Sequence, residues 1–291
     1  MSKLPGSHSI EVLGSQMSYL ERGEAVAGAP TFLFIHGMPT SSFLWRHILD
    51  TVSPNVHCIA VDLIGMGGSD HPDIDYRVFD HIRYLEGFIN ALNLGHLILV
   101  MHAWGSVVGF SYAAHHSDKI KGLAFYESHV RASVTEDMLS LPVQELTAVL
   151  KDDHNSYDSI VEQDYLIEKL LPAGALNHLD DSVMASYRAP FPTPESRKPL
   201  WQYVHDLPLG HGPDDVVALI SEYSSWLQQS DIPKLLMYSW PGFITTMETV
   251  MWAKSHLKNL TAVELGEAMH FAQETIPDAF SQRLLDWYQN I

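Results

Sequence analysis

Five turns in this 291-residue chain carry residue types that can do chemistry. His36-Gly37 closes an apolar run at 31–36, Asp62 ends one at 55–62, and His102-Ala103-Trp104-Gly105 follows one at 96–101. Glu127 follows the run 120–126, and His270 comes shortly after 260–265. A histidine oriented by a carboxylate is a general base, and Glu127 with His270 can make such a pair. A lone histidine among apolar residues is more often a satisfied core side chain, and the chain has 17 of them. His270 is set apart by its place after the last strand-like run.

Other candidates are weaker. Gly105-Ser106-Val107-Val108-Gly109 lacks the Gly-x-Ser-x-Gly spacing of a serine nucleophile, and Ser106 falls inside a helix-like stretch. His115 and His116 are adjacent, so a helix would point them apart and spoil a metal pair. Gly65-Met66-Gly67-Gly68 has neither the dinucleotide glycine spacing nor a Walker lysine. Glu267, three residues before His270, is either a second pocket carboxylate or a solvated turn residue. The single cysteine, Cys58, offers no disulfide within the chain and no thiolate cluster. Neither a metal nor another cofactor is expected.

A scaffold must bring these turns together. The runs at 31–36, 55–62 and 96–101 are short and apolar on both faces, the pattern of buried parallel strands. Between the last two, Ile82, Leu85, Phe88, Ile89 and Leu92 recur at helical spacing, and Asn93-Leu94-Gly95 stops the helix. This rhythm predicts an α/β chain with a mostly parallel sheet covered by helices, preceded by paired strands at 9–13 and 16–21. From 128 to about 215 it gives way to helical pieces, such as 159–171, separated by prolines. Strands return at 234–238 and 260–265, and an amphipathic helix closes the chain at 279–288. The expected division is a core of 1–127 and 216–291 with a helical cap, 128–215, inserted. Met138, Leu139 and Leu166 would be core or pocket wall in that cap. Ligands of open α/β sheets bind at the carboxyl ends of the strands, where all five turns fall.

Composition narrows the function. Apolar residues make up 46% of the chain and charged ones 18%, enough for a large core. With 35 acidic against 17 basic residues, a formal charge of -18, nucleic acid and anionic membrane surfaces are poor partners. No apolar run approaches the roughly 18 residues of a membrane span, and the N-terminus lacks a signal-like segment. A cytoplasmic location is expected.

The segments His36-Gly37-Met38-Pro39-Thr40-Ser41-Ser42-Phe43-Leu44-Trp45, Asp62 to Asp70, His102-Ala103-Trp104-Gly105, Phe125-Tyr126-Glu127 and Met269-His270-Phe271 to Glu274 occur in this order. Together they resemble the motifs of the haloalkane dehalogenases, and the stretch Pro190 to Pro199 is similar to that family's cap. The resemblance spans nearly the whole chain. It implies an α/β-hydrolase fold, with a mostly parallel eight-stranded sheet flanked by helices and an inserted helical cap. It also implies the subfamily whose catalytic Glu follows the sixth strand.

The family reaction implied is haloalkane plus water to alcohol plus halide, without a cofactor. An aspartate on the strand–turn–helix elbow attacks the carbon, and an acid-oriented histidine activates the water that frees the ester. By position His270 is the base and Glu127 the acid; residues 234–246 hold no Asp or Glu to act from the next strand. The nucleophile position is Ala103, which has no lone pair, so the ester route cannot begin. Trp104 keeps the indole N–H that binds the leaving halide. Met38 stands where the family usually has an Asn as second donor, although the backbone N–H groups of Met38 and Trp104 can still form an oxyanion pair.

The expected protein is therefore an engineered or natural nucleophile variant of a haloalkane dehalogenase, inactive or repurposed for that reaction. The alternatives are a non-hydrolytic ligand binder, an enzyme redesigned to use His270 and Glu127 as a general base pair, and a luciferase-like monooxygenase. Expected partners are a small halogenated aliphatic or other apolar ligand and a halide ion, in a monomer or weak homo-oligomer.

Overall fold

A computed structural model describes residues 4–132, 144, 156–208 and 213–291. Met138 and Leu139, expected as core or pocket wall, lie outside them. Eight strands form one sheet: β1 (Ser7–Val12), β2 (Ser15–Arg22), β3 (Thr31–Ile35), β4 (Cys58–Val61), β5 (Leu97–His102), β6 (Ile120–Tyr126), β7 (Lys234–Pro241) and β8 (Leu260–Ala268). Their order is β1-β2-β4-β3-β5-β6-β7-β8. β1 and β2 pair antiparallel, β2 runs antiparallel to β4, and all remaining neighbours are parallel. The α/β-hydrolase expectation of a mostly parallel, eight-stranded sheet holds.

Residue pattern explains the two halves of this sheet. Every residue of β4 and β5 is buried, as is β3 after Thr31, because helices cover both faces of the parallel part. In β2, buried Ser15, Met17 and Tyr19 alternate with exposed Gln16 and half-buried Ser18. Val12 pairs with Ser15 across a two-residue turn, Leu13-Gly14, in which both residues have positive φ. That backbone twist matches the right-handed twist of a hairpin.

Among the described residues eight helices of seven or more residues flank the strands: α1 (Arg46–Val52), α2 (Val78–Ala91), α3 (Trp104–His115), α4 (Asp181–Arg188), α5 (Lys198–Asp206), α6 (Asp214–Gln229), α7 (Met247–His256) and α8 (Pro277–Tyr288). On α2 the predicted stripe is real, with Leu85, Phe88 and Ile89 buried. Two sequence expectations need correction. The helix read over 159–171 is two wide helical turns, Asp158–Glu162 and Leu166–Leu170, running into a short turn at Leu171–Gly174. They are parted at Asp164, whose φ of 54° takes the left-handed region that aspartate tolerates better than most residues. β8 runs to Ala268, three residues past the predicted end, because it pairs with a β7 that itself extends to Pro241.

Among the described residues no strand lies between β6 and β7; α4, α5, α6 and the wide turns occupy that interval. Leu166, Ile167 and Leu200 bury their side chains there, so Leu166 belongs to the core. α5 is tied back to the sheet's helices by Asp206, which is 1% exposed. Its carboxylate accepts from the Val78 backbone N–H at 2.7 Å and from Arg77 Nε at 2.8 Å, while the rest of the Arg77 guanidinium grips Asp215 with two 2.9 Å bonds.

Candidate active site

β5 ends at His102, and α3 begins at Trp104. The single residue between them, Ala103, is held at φ 47° and ψ −120°, a conformation rare for a residue with a side chain. Close packing holds this turn. A Cβ at Gly37 would stand 2.8 Å from Ala103 Cβ and 3.0 Å from both the His102 carbonyl and the Trp104 nitrogen. One at Gly105 would lie 2.4 Å from the His36 carbonyl. The His-Gly and Trp-Gly segments are thus interlocked, and each glycine is required by the other turn's backbone.

Glu127 directly follows β6 at φ 51° and is fully buried. Four N–H groups converge on its two oxygens. Phe243 N and Thr245 N donate to Oε1 at 3.1 Å each, Ile244 N donates to Oε2 at 2.5 Å, and His270 Nδ1 donates to Oε2 at 3.0 Å. The loop after β7 therefore holds the acid in place with its amides. His270, two residues beyond β8, is 3% exposed; its Nε2 makes no hydrogen bond to a described residue, so a lone pair remains for a proton.

Three more buried histidines surround this pair. His102 Nε2 donates to the His270 carbonyl at 2.8 Å, and its ring lies 4.6 Å from that of His270. Burial, with His270 beside it, holds His102 far below the ordinary histidine pKa, so it is a neutral prop. His36 bridges two turns: Nδ1 donates to the Gly37 carbonyl at 2.9 Å and Nε2 accepts from Leu63 N at 3.0 Å. Desolvation lowers its pKa despite the opposing pull of Asp62. His129, two residues after Glu127, is pushed down to about 4 by burial and by His270.

Of the remaining sequence candidates, Met38 is buried in the turn after β3 and precedes a cis proline, and Trp104 is buried at the head of α3. The Trp104 indole N–H has no partner among the described residues. Ser106 donates to the Ala103 carbonyl at 2.6 Å and accepts from His129 N at 3.0 Å, a brace for the elbow. His115 and His116 face different partners, Glu222 and Glu86. The glycine turn at 65–68 does hold an anion, but it is the chain's own Asp62, whose oxygens accept from Ser42 N at 2.7 Å and Gly68 N at 2.8 Å. Glu267 is exposed on β8, and burial pushes the Cys58 thiol up to about 12. Among the described residues no group of three or more His, Cys, Asp or Glu side chains is arranged to hold a metal.

Sequence reasoning missed the amide cradle at 243–245, the propping role of His102, and His129. Backbone N–H groups leave no trace in residue identity. His129 had a signal in principle: a histidine two residues past the candidate acid, in a segment otherwise buried.

Comparison with known proteins agrees with this geometry. Residues 30–205 match the family model described as the alpha/beta hydrolase fold. The chain is 38% identical to a haloalkane dehalogenase of Mesorhizobium japonicum, covering 99% of this chain and 92% of that protein. It is also 38% identical to one of Bradyrhizobium diazoefficiens, covering 96% and 93%. Crystal structures of the haloalkane dehalogenases DbeA from Bradyrhizobium elkani and DatA from Agrobacterium tumefaciens superpose with TM-scores of 0.93 and 0.91. Their identities are 35% and 31%, with coverage of 98% of this chain in both cases and 97% and 96% of theirs.

Proposed function

Since the chain belongs to the haloalkane dehalogenase family of α/β-hydrolases, we propose that it keeps that family's base and leaving-group donor while lacking its covalent step. The observation that carries this reading is the methyl group of Ala103 on the elbow between β5 and α3. A methyl group cannot displace a halide, so no alkyl ester forms. What stays assembled is His270, aimed by a Glu127 that three amides immobilise.

In this reading residues 128–215 form the cap over a pocket for a small halogenated or otherwise apolar aliphatic ligand. His270 Nε2 acts directly as general base. It takes a proton from water, the oxygen bonds to the carbon, and the carbon–halogen bond breaks with its electrons leaving on the halide. The Trp104 indole N–H receives that halide. Without the covalent intermediate this route is slow; loss of the nucleophile in a comparable catalytic triad costs on the order of a million-fold in turnover. Met38 offers only apolar wall and its backbone N–H.

The test compares bromide release from a short bromoalkane by this protein and by Ala103→Asp at equal concentration. Turnover by the Asp form, with release by the Ala103 form lower by ~10⁴-fold or more, is the expected result. Equal turnover by both forms would overturn the assignment of the elbow. Inactivity of both would show that the pocket serves a different ligand and that the dehalogenation reading is wrong.

A further inference from the structure

Two rings that the reaction above does not use pack against Trp104. His129 meets the indole edge to face at 5.8 Å and 88°, and Tyr203, reaching in from α5, meets it at 5.3 Å and 67°. Both are more than nine-tenths buried. Neither ring nitrogen of His129 bonds to a described residue, and Nε2 is sealed from solvent as well. The Tyr203 hydroxyl likewise has no partner among the described residues. An unspent buried polar atom such as His129 Nε2 is costly, about 1–3 kcal/mol, and calls for an explanation.

These rings are not loosely placed. The His129 backbone N–H is bound by Ser106 Oγ, itself bonded to the elbow carbonyl, and the His129 carbonyl accepts from the Tyr223 hydroxyl. We propose that His129 and Tyr203 complete a cradle of uncharged donors around the Trp104 indole N–H, binding a halide or small oxyanion where Met38 supplies no side-chain donor. An anion is the ligand this set suits. The indole N–H has no lone pair to offer a cation, whichever tautomer His129 adopts it presents one N–H, and the hydroxyl can donate. Burial keeps Tyr203 protonated, with its pKa raised, and His129 neutral. Glu127, two residues before His129, has its oxygens taken up by the three amides and His270.

The inference rests on Trp104 as leaving-group donor, and the experiment separates the two. Sodium bromide is titrated into the protein, and quenching of tryptophan emission is followed in the natural chain, Trp104→Phe, His129→Phe and Tyr203→Phe. Phenylalanine keeps an aromatic ring at each position and removes the donor. The expected result is saturable quenching that Trp104→Phe abolishes and that each of the other two variants weakens about tenfold or more in Kd. Absence of saturable quenching in the natural chain would overturn both readings of the anion site. Saturable quenching lost in Trp104→Phe but unchanged in the other two would overturn the cradle alone. Nitrogen-15 spectra of the histidine rings supply a check that needs no variant: the His129 resonances must shift with bromide, and fixed resonances would remove His129 from the site.

Discussion

At Ala103 a side chain of one carbon sits in a backbone geometry that would cost less with glycine, framed by contacts that leave Gly37 no room for a Cβ. On the proposed reading the elbow lacks only the group it exists to present. That separation between position and chemistry is testable by adding the carboxylate back and then removing the base. In Ala103→Asp the alkyl ester should form and be hydrolysed; in Ala103→Asp with His270→Gln it should form and persist. Intact-mass spectrometry after exposure to a bromoalkane would show one added alkyl group in the double variant and none at steady state in the single one. An unmodified double variant would show that Asp at 103 does not reach the substrate carbon. Gly37→Ala tests the frame itself: overpacking against Ala103 Cβ and the His102 carbonyl should lower stability by about 1–3 kcal/mol, read from a urea midpoint at unchanged slope.

Elements act here through their ends. The N-terminus of α2 is fastened to the end of α5 by Asp206, which accepts from both the Val78 backbone and Arg77, while Arg77 also clasps the first turn of α6. Asp206→Ala would leave a buried amide and a half-exposed guanidinium without that acceptor. A loss of about 2–3 kcal/mol is expected, with proteolysis starting earlier in the helices around α5 than in the sheet. Cleavage in both regions at one rate would mean that these helices and the sheet open together. The same scale explains what a reader of the sequence can and cannot find. Runs such as 31–36 and 96–101 announce themselves because burial on both faces removes polar residues. The turns after them were legible because His-Gly and Trp-Gly are rare pairs with a steric reason. The Asp206–Arg77 clasp joins residues far apart in the chain, and the amides that hold Glu127 belong to Phe243, Ile244 and Thr245, whose side chains advertise nothing. The break at Asp164 was hidden because its neighbours keep helical apolar spacing while one residue turns left-handed.

Across the whole molecule the buried histidines set a limit on acid tolerance. His81 is lowered to about 3 and His129 to about 4, chiefly by desolvation, and His36 and His102 are lowered by the same cause. Folded, these groups take up protons only at lower pH than in the unfolded chain, which binds them below about 6.5. The unfolded chain therefore takes up more protons, and stability must fall as pH drops from about 6.5 toward 4. His81 and His129 each cost on the order of 3 kcal/mol of stability by pH 4, and His36 and His102 add to that loss in the same direction. Asp164 opposes them, since its carboxyl is raised to about 6 and favours the folded state as pH falls below that value. One group against four does not reverse the trend. The formal charge of -18 adds a surface term, which 0.5 M salt would screen, whereas the buried term would survive. Urea midpoints measured at pH 7.5 and 5.0, with and without that salt, should drop at the lower pH in both series. A drop that salt abolishes would place the acid sensitivity on the surface, and His81→Phe, which removes a buried ring with no hydrogen bond to either nitrogen, should shrink the drop if the core is responsible.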